Sequence, residues 1–121
     1  MSGDVDVEKF FDGHPDGLAC CLAVLDMASA LPGVTVAVSR SQVAVRRRRG
    51  FAYVWRPGQY VANPVPAVLS LALSRRVDSP RFKEVVEPSP GHWMHHLELW
   101  RREDVDDEVS AWIREAWERA A

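Results

Sequence analysis

The spacing of hydrophobic residues changes several times along the chain, and each change predicts a different element. One amphipathic turn at Val7, Phe10 and Phe11 precedes a helix that Asp16 can cap and that Pro32 must end. The apolar positions of this helix are Leu18, Cys21, Leu22, Leu25 and Ala28. A last helix is predicted near the C-terminus, where one apolar stripe follows four acidic residues at 104–108 that favour a helix start. That stripe consists of Val109, Trp112, Ile113, Ala116, Trp117 and Ala120.

Between the two helices the apolar residues alternate with polar ones, which is typical of strands. Valines at residues 34–38 and 43–45 predict a hairpin with its turn at Arg40 and Ser41. Residues 51–56 predict a third strand, with Phe51, Tyr53 and Trp55 on one side. Residues 69–73 predict a half-buried strand with its serine outward, residues 82–87 an edge strand, and residues 93–100 a last strand. The order helix, strands, helix therefore predicts an antiparallel sheet with short connections.

The predicted fold class is α+β, a two-layer domain in which a mainly antiparallel sheet of five or six strands carries the N- and C-terminal helices on one face. Residues 1–121 are predicted to form a single domain, long enough to bury about two-thirds of its surface. Hydrophobic residues at 47% and charged residues at 26% exclude a disordered class. The longest apolar stretch, residues 18–31, is too short and too acidic to cross a membrane, so we expect a cytoplasmic protein. Cys20 and Cys21 are predicted to be reduced packing residues.

The positive charge is concentrated in one segment. Residues 34–77 contain eight arginines and no acidic residue, although the formal net charge is −2. If Val43 and Val45 face the helices, Arg47 shares their side while Arg46 and Arg48 project from the open face of the sheet. Guanidinium groups can hold phosphates through paired hydrogen bonds, and Trp55 offers a stacking surface. The sequence therefore predicts a non-enzymatic binding or interaction module whose partner is a nucleic acid or an acidic protein surface. The candidate residues are Arg46, Arg47, Arg48, Arg49 and Trp55.

A second interpretation of the same arginines is structural. Acidic helices can pair with a basic sheet in the same molecule, and exposed pairs of this kind add only about 0 to 1 kcal/mol each. A pI near 6.1 also argues against a dedicated nucleic-acid binder. Both interpretations can hold together if Arg47 meets helix carboxylates while Arg46 and Arg48 stay available.

The alternative from another functional class is a small-ligand or metal-dependent enzyme with a pocket near His95, His96 and Glu98. On a strand, His96 and Glu98 lie on one face about 7 Å apart, and His92 is a conceivable third ligand. The spacing matches no strong metal motif, so neither a metal nor a cofactor is predicted. One of His95 and His96 is expected to pack in the core with its ring nitrogens satisfied by backbone or a carboxylate, and the other to be exposed. Because no nucleophile or phosphate-loop motif is present, the catalytic residues are unknown and an enzyme is the less favoured reading.

Several short blocks of sequence carry a family resemblance. They are Phe10-Phe11-Asp12-Gly13, the basic strand 43–49 with Phe51-Ala52, the strand 69–73, Pro80-Arg81-Phe82, residues 93–99, Asp106-Asp107-Glu108 and residues 112–116. Over nearly its whole length the chain resembles an uncharacterised bacterial family, the domain of unknown function 5655. The resemblance implies a stand-alone or C-terminal module of unassigned activity, so it supplies no catalytic residues. The order of helices and strands also looks like that of YjbR-like double-wing domains, some of which are thought to bind DNA, but fold alone does not establish function.

The edges of the predicted sheet bear on the oligomeric state. Residues 82–87 and 42–48 are candidate edge strands, and an uncovered edge can pair with a second copy across a two-fold axis. A homodimer is therefore an alternative that the sequence leaves open, and it would change which arginines are accessible.

Overall fold

The computed structural model describes the backbone of residues 2–121 and the side chains of residues 5–121. In this part of the chain the helices are α1 (Ser2–Phe10), α2 (Pro15–Ser29) and α3 (Asp107–Arg119). The strands are β1 (Thr35–Val38), β2 (Val43–Arg46), β3 (Gly50–Trp55), β4 (Ala67–Leu73), β5 (Phe82–Ser89) and β6 (His92–Leu99). Short 3-10 helices span Pro57–Gln59 and Arg102–Asp104. None of the described helices is both long enough and apolar enough to cross a membrane.

The six strands form one sheet in the order β1-β2-β3-β4-β6-β5, and every neighbouring pair is antiparallel. Short connections join most successive strands, which is why neighbours in sequence pair in space. The predicted α+β fold, with a mainly antiparallel sheet and helices at both ends of the chain, is confirmed. Strands β1 and β5 form the two edges, so the predicted edge position of residues 82–87 is also confirmed. The other candidate edge, residues 42–48, is wrong, because β2 lies between β1 and β3.

The main core lies between one face of the sheet and the helices. In the register of the sheet, Val43, Val54, Leu69 and Leu97 form one row across four strands, and each is at most 2% exposed. Helix α3 covers this row with the predicted stripe, of which Val109, Trp112, Ile113 and Ala116 are buried. The period of 3.6 in the helix and the period of 2 in the strands thus bring two apolar surfaces together.

The helix ends differ in how their first backbone N–H groups are satisfied. Asp106 caps α3, since its Oδ1 accepts a hydrogen bond from the Val109 N–H at 3.1 Å. The predicted cap of α2 by Asp16 is wrong. Helix α2 begins at Pro15, so Asp16 lies inside its first turn. A proline at the first helical position has no N–H to satisfy, so the helix can start one residue earlier without a side-chain cap.

Strand β4 differs from its predicted half-buried pattern, because all seven of its residues are buried. Ser70 is 3% exposed and Ala72 is 1% exposed, although both point away from the helices. A bulge explains a second difference. Ala52 pairs with Val45 and Gly50 pairs with Arg46, so Phe51 has no partner on β2 and joins the main core instead of sharing a side with Tyr53 and Trp55.

Candidate binding cleft on the open sheet face

A concave cleft of about 490 Å³ lies on the face of the sheet that the helices leave open. We call it the open-face cleft, and its lining residues are Ser41, Gln42, Tyr53, Trp55, Tyr60, Ser70, His92, Met94 and His96. Alternation in the strands produces it, because Tyr53, Ser70 and His96 are register partners across β3, β4 and β6. The 3-10 helix after β3 then brings Tyr60 over one end.

A chain of two hydrogen bonds fixes the floor of the open-face cleft. The Trp55 Nε1–H donates to Ser70 Oγ at 2.9 Å, and Ser70 Oγ lies 2.6 Å from His96 Nδ1. The Ser70 hydroxyl already accepts from the indole, so donating its own proton to Nδ1 satisfies both groups. This assignment leaves the His96 proton on Nε2. Burial lowers the His96 pKa, with the Glu84 charge opposing, so the neutral ring is favoured.

Aromatic rings form a row along the cleft. The centroids of Trp55 and Tyr60 are 6.4 Å apart, and those of Trp55 and His96 are also 6.4 Å apart with the rings nearly perpendicular. The Tyr60 hydroxyl donates to the Ser41 carbonyl at 3.4 Å, which ties its loop to the β1–β2 turn. Tyr60 nevertheless remains 60% exposed, so an aromatic face borders the cleft in contact with solvent.

Tyr53 links the cleft to the arginine run. Its hydroxyl lies so close to Gly50 that a Cβ at that position would overlap it. Gly50 pairs with Arg46 on β2, so the Tyr53 side chain reaches the end of the sheet where the arginines begin. A glycine is required at residue 50 for this approach of ring to backbone.

A run of four arginines leads from the end of β2 to β3, beside the C-terminal end of α3. We call it the arginine turn, and its residues are Arg46, Arg47, Arg48 and Arg49. The Arg47 Nη1 donates to the Trp117 carbonyl at 3.1 Å, and its guanidinium carbon lies 3.8 Å from the Trp117 ring centre. The Arg48 backbone N–H donates to the Ala120 carbonyl, and the Arg49 Nη2 donates to the Arg119 carbonyl at 2.8 Å. The last carbonyls of a helix lack their usual partners four residues on, so these three donors satisfy the end of α3, and the two guanidiniums also bring positive charge to it.

The predicted pairing of the arginine turn with helix carboxylates is not what the structure shows. Across residues 5–121 the ion pairs join Arg75 to Glu115, Arg81 to Asp106 and Glu108, and Arg102 to Glu103. Arg47 does meet helix α3, but through a carbonyl and an indole ring. The side chains of Arg46 and Arg48 are exposed, and within the described residues neither forms a hydrogen bond or ion pair.

A group of cations lies where the open-face cleft reaches the arginine turn. Burial, followed by the charges of Arg119 and Arg49, lowers the pKa of His92. Burial and the neighbouring Arg49 likewise lower the pKa of Arg119. Arg119 also donates to the Gly91 carbonyl at 3.4 Å, directly before His92. Like charges therefore lie close together at this end of the sheet.

The predicted pocket residues are divided between the two faces. His95 is fully buried on the helix side, where its Nε2 accepts from the Val77 N–H at 2.9 Å and its Nδ1–H donates to the Trp93 carbonyl at 3.2 Å. His96 and Glu98 are half-buried on the open side, since neighbouring residues of a strand point in opposite directions. His95 is thus the histidine in the core, with its nitrogens satisfied by backbone, and His96 lines the cleft.

Other reactive side chains are not assembled into a site. In the described part of the chain no three His, Cys, Asp or Glu side chains are grouped as metal ligands would be. Cys20 and Cys21 are free thiols buried in α2, and desolvation raises the pKa of Cys20 to about 11 and that of Cys21 to about 12. Both behave as packing residues, as the sequence predicted.

Comparison with known protein families matches residues 7–120 to a family described as Domain of unknown function (DUF5655). The chain belongs to this family. No curated protein matches the chain, and no solved structure matches it. Membership in DUF5655 confirms the family expected from the sequence blocks, whereas the likeness to YjbR-like domains stays a prediction.

Sequence reasoning missed several residues of the site in this DUF5655 chain. The sequence predicts no element at Tyr60, which lies between the predicted strands 51–56 and 69–73, it predicts Ser70 as an outward strand position, and it gives Arg119 no role. The signal for Ser70 was present, because a serine among buried leucines needs a hydrogen-bond partner. Tyr60 and Arg119 reach the site only through the chain's path in space, so local patterns give no signal for them.

Proposed function

We propose that this chain is a non-enzymatic binding module that takes an anionic partner, a nucleic acid or an acidic protein surface, on its open sheet face. The observation that carries the proposal is the arrangement of Arg46 and Arg48. Both side chains are exposed, and neither side chain forms a hydrogen bond or an ion pair among the described residues. Their neighbours Arg47 and Arg49 hold the turn against α3, so the backbone that carries the two exposed cations is anchored.

Local charge supports the proposal despite a formal net charge of −2. Four acidic residues at the start of α3 lie at the opposite end of that helix from the arginine turn, and Asp106 and Glu108 are occupied by Arg81. Electrostatic attraction between exposed groups decays over about 8 Å at physiological salt. The exposed carboxylates nearer the turn are Glu118 in the last turn of α3 and Glu87, which accepts from the Gly91 N–H, and the four arginines outnumber them.

Salt-dependent binding tests the proposal. Binding of a labelled single-stranded oligonucleotide, heparin and polyglutamate is measured by fluorescence anisotropy over a series of salt concentrations. We expect binding of at least one polyanion at low salt. For the oligonucleotide, the Arg46→Ala/Arg48→Ala double variant should flatten the logarithmic salt slope by about 1.4, since each lost phosphate contact on a single strand removes about 0.7.

A matched double variant controls for the loss of two positive charges. Arg40 precedes β2 and Arg102 follows β6, so both lie at the end of the sheet that is away from the arginine turn. Both are exposed. The Arg40→Ala/Arg102→Ala variant should leave the salt slope unchanged. Equal slopes for both double variants would show that only net charge matters, and no binding to any polyanion at low salt would end the proposal.

The enzyme alternative has one observation in its favour, the 2.6 Å contact between Ser70 Oγ and His96 Nδ1. Ser70 is only 3% exposed, and its hydroxyl is held between two partners beneath the cleft surface. This geometry suits a residue that orients His96 better than it suits a nucleophile, which must reach a substrate. A binding role for the cleft is therefore the better-supported conclusion.

A further inference from the structure

We infer that the anionic partner is single-stranded nucleic acid, with one unpaired base held in the open-face cleft and the adjoining phosphates at the arginine turn. The inference rests on the proposed function and deepens it by naming the partner. It combines two observations, a row of aromatic rings and a group of arginines without ion-pair partners among the described residues at one end of that row.

The cleft offers what an unpaired base needs. Its volume of about 490 Å³ falls in the range of small-ligand sites, which is about 300 to 1,000 Å³. Trp55 and the exposed Tyr60 provide faces for stacking. Beside them, the assignment of Ser70 as donor to Nδ1 leaves the His96 proton on Nε2, where it can be donated to a carbonyl or ring nitrogen of a base.

The cations continue from the cleft in one direction. His92, Met94 and His96 line the cleft along β6, so His92 lies about 13 Å from His96 along the strand. Arg119 donates to the Gly91 carbonyl directly before His92, and Arg49 donates to the Arg119 carbonyl. Arg46 ends β2 at this same end of the antiparallel sheet. Several cations beyond one base suit a run of phosphates better than a single one.

Two acidic residues near His96 favour one orientation of the strand, and the arginines outnumber Glu87, the carboxylate that accepts from the Gly91 N–H near His92. Glu84 is the register partner of His96 on the edge strand β5, and Glu98 follows on β6. Both carboxylates lie away from the arginine turn, and they disfavour phosphate near His96. The neutral base is therefore expected near His96 and the phosphates near His92, and a duplex is excluded because its stacked bases cannot present a face to the recessed rings.

An acidic protein surface fits this arrangement less well. Carboxylates would satisfy the arginines but would leave the aromatic row and the His96 donor without a planar partner. Bases provide a face for each ring, and stacking contributes without sequence preference.

The test uses the whole chain and four probes of matched phosphate chemistry. They are a labelled single-stranded hexanucleotide, an abasic strand of the same length, a duplex of the same sequence, and a nucleoside monophosphate as competitor. We expect the hexanucleotide to bind at least about five times more tightly than the abasic strand and the duplex, because stacking of one base adds that much or more. The monophosphate should compete weakly.

Two variants locate the base. Tyr60→Ala should weaken hexanucleotide binding by about 5-fold to 100-fold while leaving the abasic strand unchanged. Val61→Ala is the control, because Val61 is 62% exposed in the same loop and does not line the cleft. Both positions are exposed, so neither change should disturb folding, which a thermal melt verifies.

Each contrary result has one meaning. Equal binding of the hexanucleotide and the abasic strand would overturn the base site but leave the proposed function intact. Equal competition by the monophosphate would show that a free nucleotide is the ligand, and tighter duplex binding would overturn the single strand. Tight polyglutamate binding with no hexanucleotide binding would make an acidic protein the partner. Failure of every polyanion would remove the proposed function itself.

Discussion

The Arg47 guanidinium stacks on the ring of Trp117 at 3.8 Å and donates to the carbonyl of the same residue at 3.1 Å. One side chain thus binds both the face and the backbone of one tryptophan at the C-terminal end of α3. The Trp117 indole N–H in turn donates to the Pro32 carbonyl at 2.8 Å, so the contact extends to the segment after α2. The arginine turn therefore has two kinds of members, arginines that hold α3 and arginines that face solvent.

Replacing Arg47 tests its structural role. Arg47→Ala should lower the free energy of unfolding by about 1 to 2 kcal/mol, because it removes a stacked cation worth about 0.5 to 1 kcal/mol and a positive charge at a helix C-terminus worth about 0.3 to 1 kcal/mol. Urea denaturation measures the change. Arg46→Ala is the matched control and should stay within about 0.5 kcal/mol of the unmodified chain. Equal losses for the two variants would contradict the division of the turn.

The local parts of this fold could be predicted from the sequence because periodicity is itself local. Helix α3 was predicted from one apolar stripe and an acidic start, and both features determine its position. The full burial of β4 and the position of the Phe51 side chain in the main core could not be predicted. They depend on what lies across the sheet, namely the rings over Ser70 and the bulge opposite Arg46.

The candidate site was predictable in part for the same reason. Alternation along β2 predicts Arg46 on the open side, and the side chains of Arg46 and Arg48 are exposed in the structure. The binding of Arg47 and Arg49 to helix carbonyls could not be predicted, because 70 residues separate donor from acceptor in both hydrogen bonds. The charge composition favours acidic side chains as partners of these arginines. The backbone carbonyls at a helix end cannot be recognised from residue types, because every residue has one.

The cap of α3 gives a second prediction. Asp106→Ala should lower the free energy of unfolding by about 0.5 to 2 kcal/mol, since the Val109 N–H loses its acceptor. Asp106→Asn should cost less, because asparagine is also a good cap and only the charge beside Arg81 is lost. That hydrogen bond from Val109, followed by the one from Arg81, lowers the pKa of Asp106. Equal costs for Ala and Asn would place the whole effect in the ion pair, against the capping role.

Stability should depend on pH through the histidines. Burial lowers the pKa of His92, His95 and His96 from the ordinary 6.5. The folded chain therefore binds fewer protons than the unfolded chain as the pH falls through about 6.5, so the free energy of unfolding should decrease from about pH 7.5 to pH 5. Urea denaturation at several pH values measures this slope.

The variant His95→Gln isolates the buried histidine. It removes one titrating group while keeping an acceptor for the Val77 N–H, so the dependence on pH should become shallower. The pKa of Asp106 is lowered from 3.8, so protonation of Asp106 affects the free energy of unfolding only below the range of pH 5 to 7.5. A free energy of unfolding that increases as the pH falls from about 7.5 to 5 would refute the assignment of neutral, buried rings.

The cysteines should be inert in the folded chain. Desolvation raises the pKa of Cys20 to about 11 and that of Cys21 to about 12, and neither side chain is exposed. Only the thiolate reacts, so an aromatic disulfide reagent at about pH 8 should modify both residues rapidly in denaturant and neither at a comparable rate in buffer. Rapid modification of the folded protein would mean that α2 opens readily or that a thiol is activated.

Ser70 connects the stability of the sheet to the chemistry of the cleft. Ser70→Ala should lower the free energy of unfolding by about 1 to 3 kcal/mol, because the Trp55 N–H loses its acceptor beneath the cleft. Ser74→Ala, an exposed serine just after the same strand, should change it by no more than about 0.5 kcal/mol.

Nitrogen NMR of His96 supplies the second readout. The neutral ring should carry its proton on Nε2 in the unmodified chain and become a mixture of tautomers in Ser70→Ala, since nothing then donates to Nδ1. A proton on Nδ1 in the unmodified chain would show that Ser70 accepts from His96 instead, and that the ring does not present a donor to the cleft.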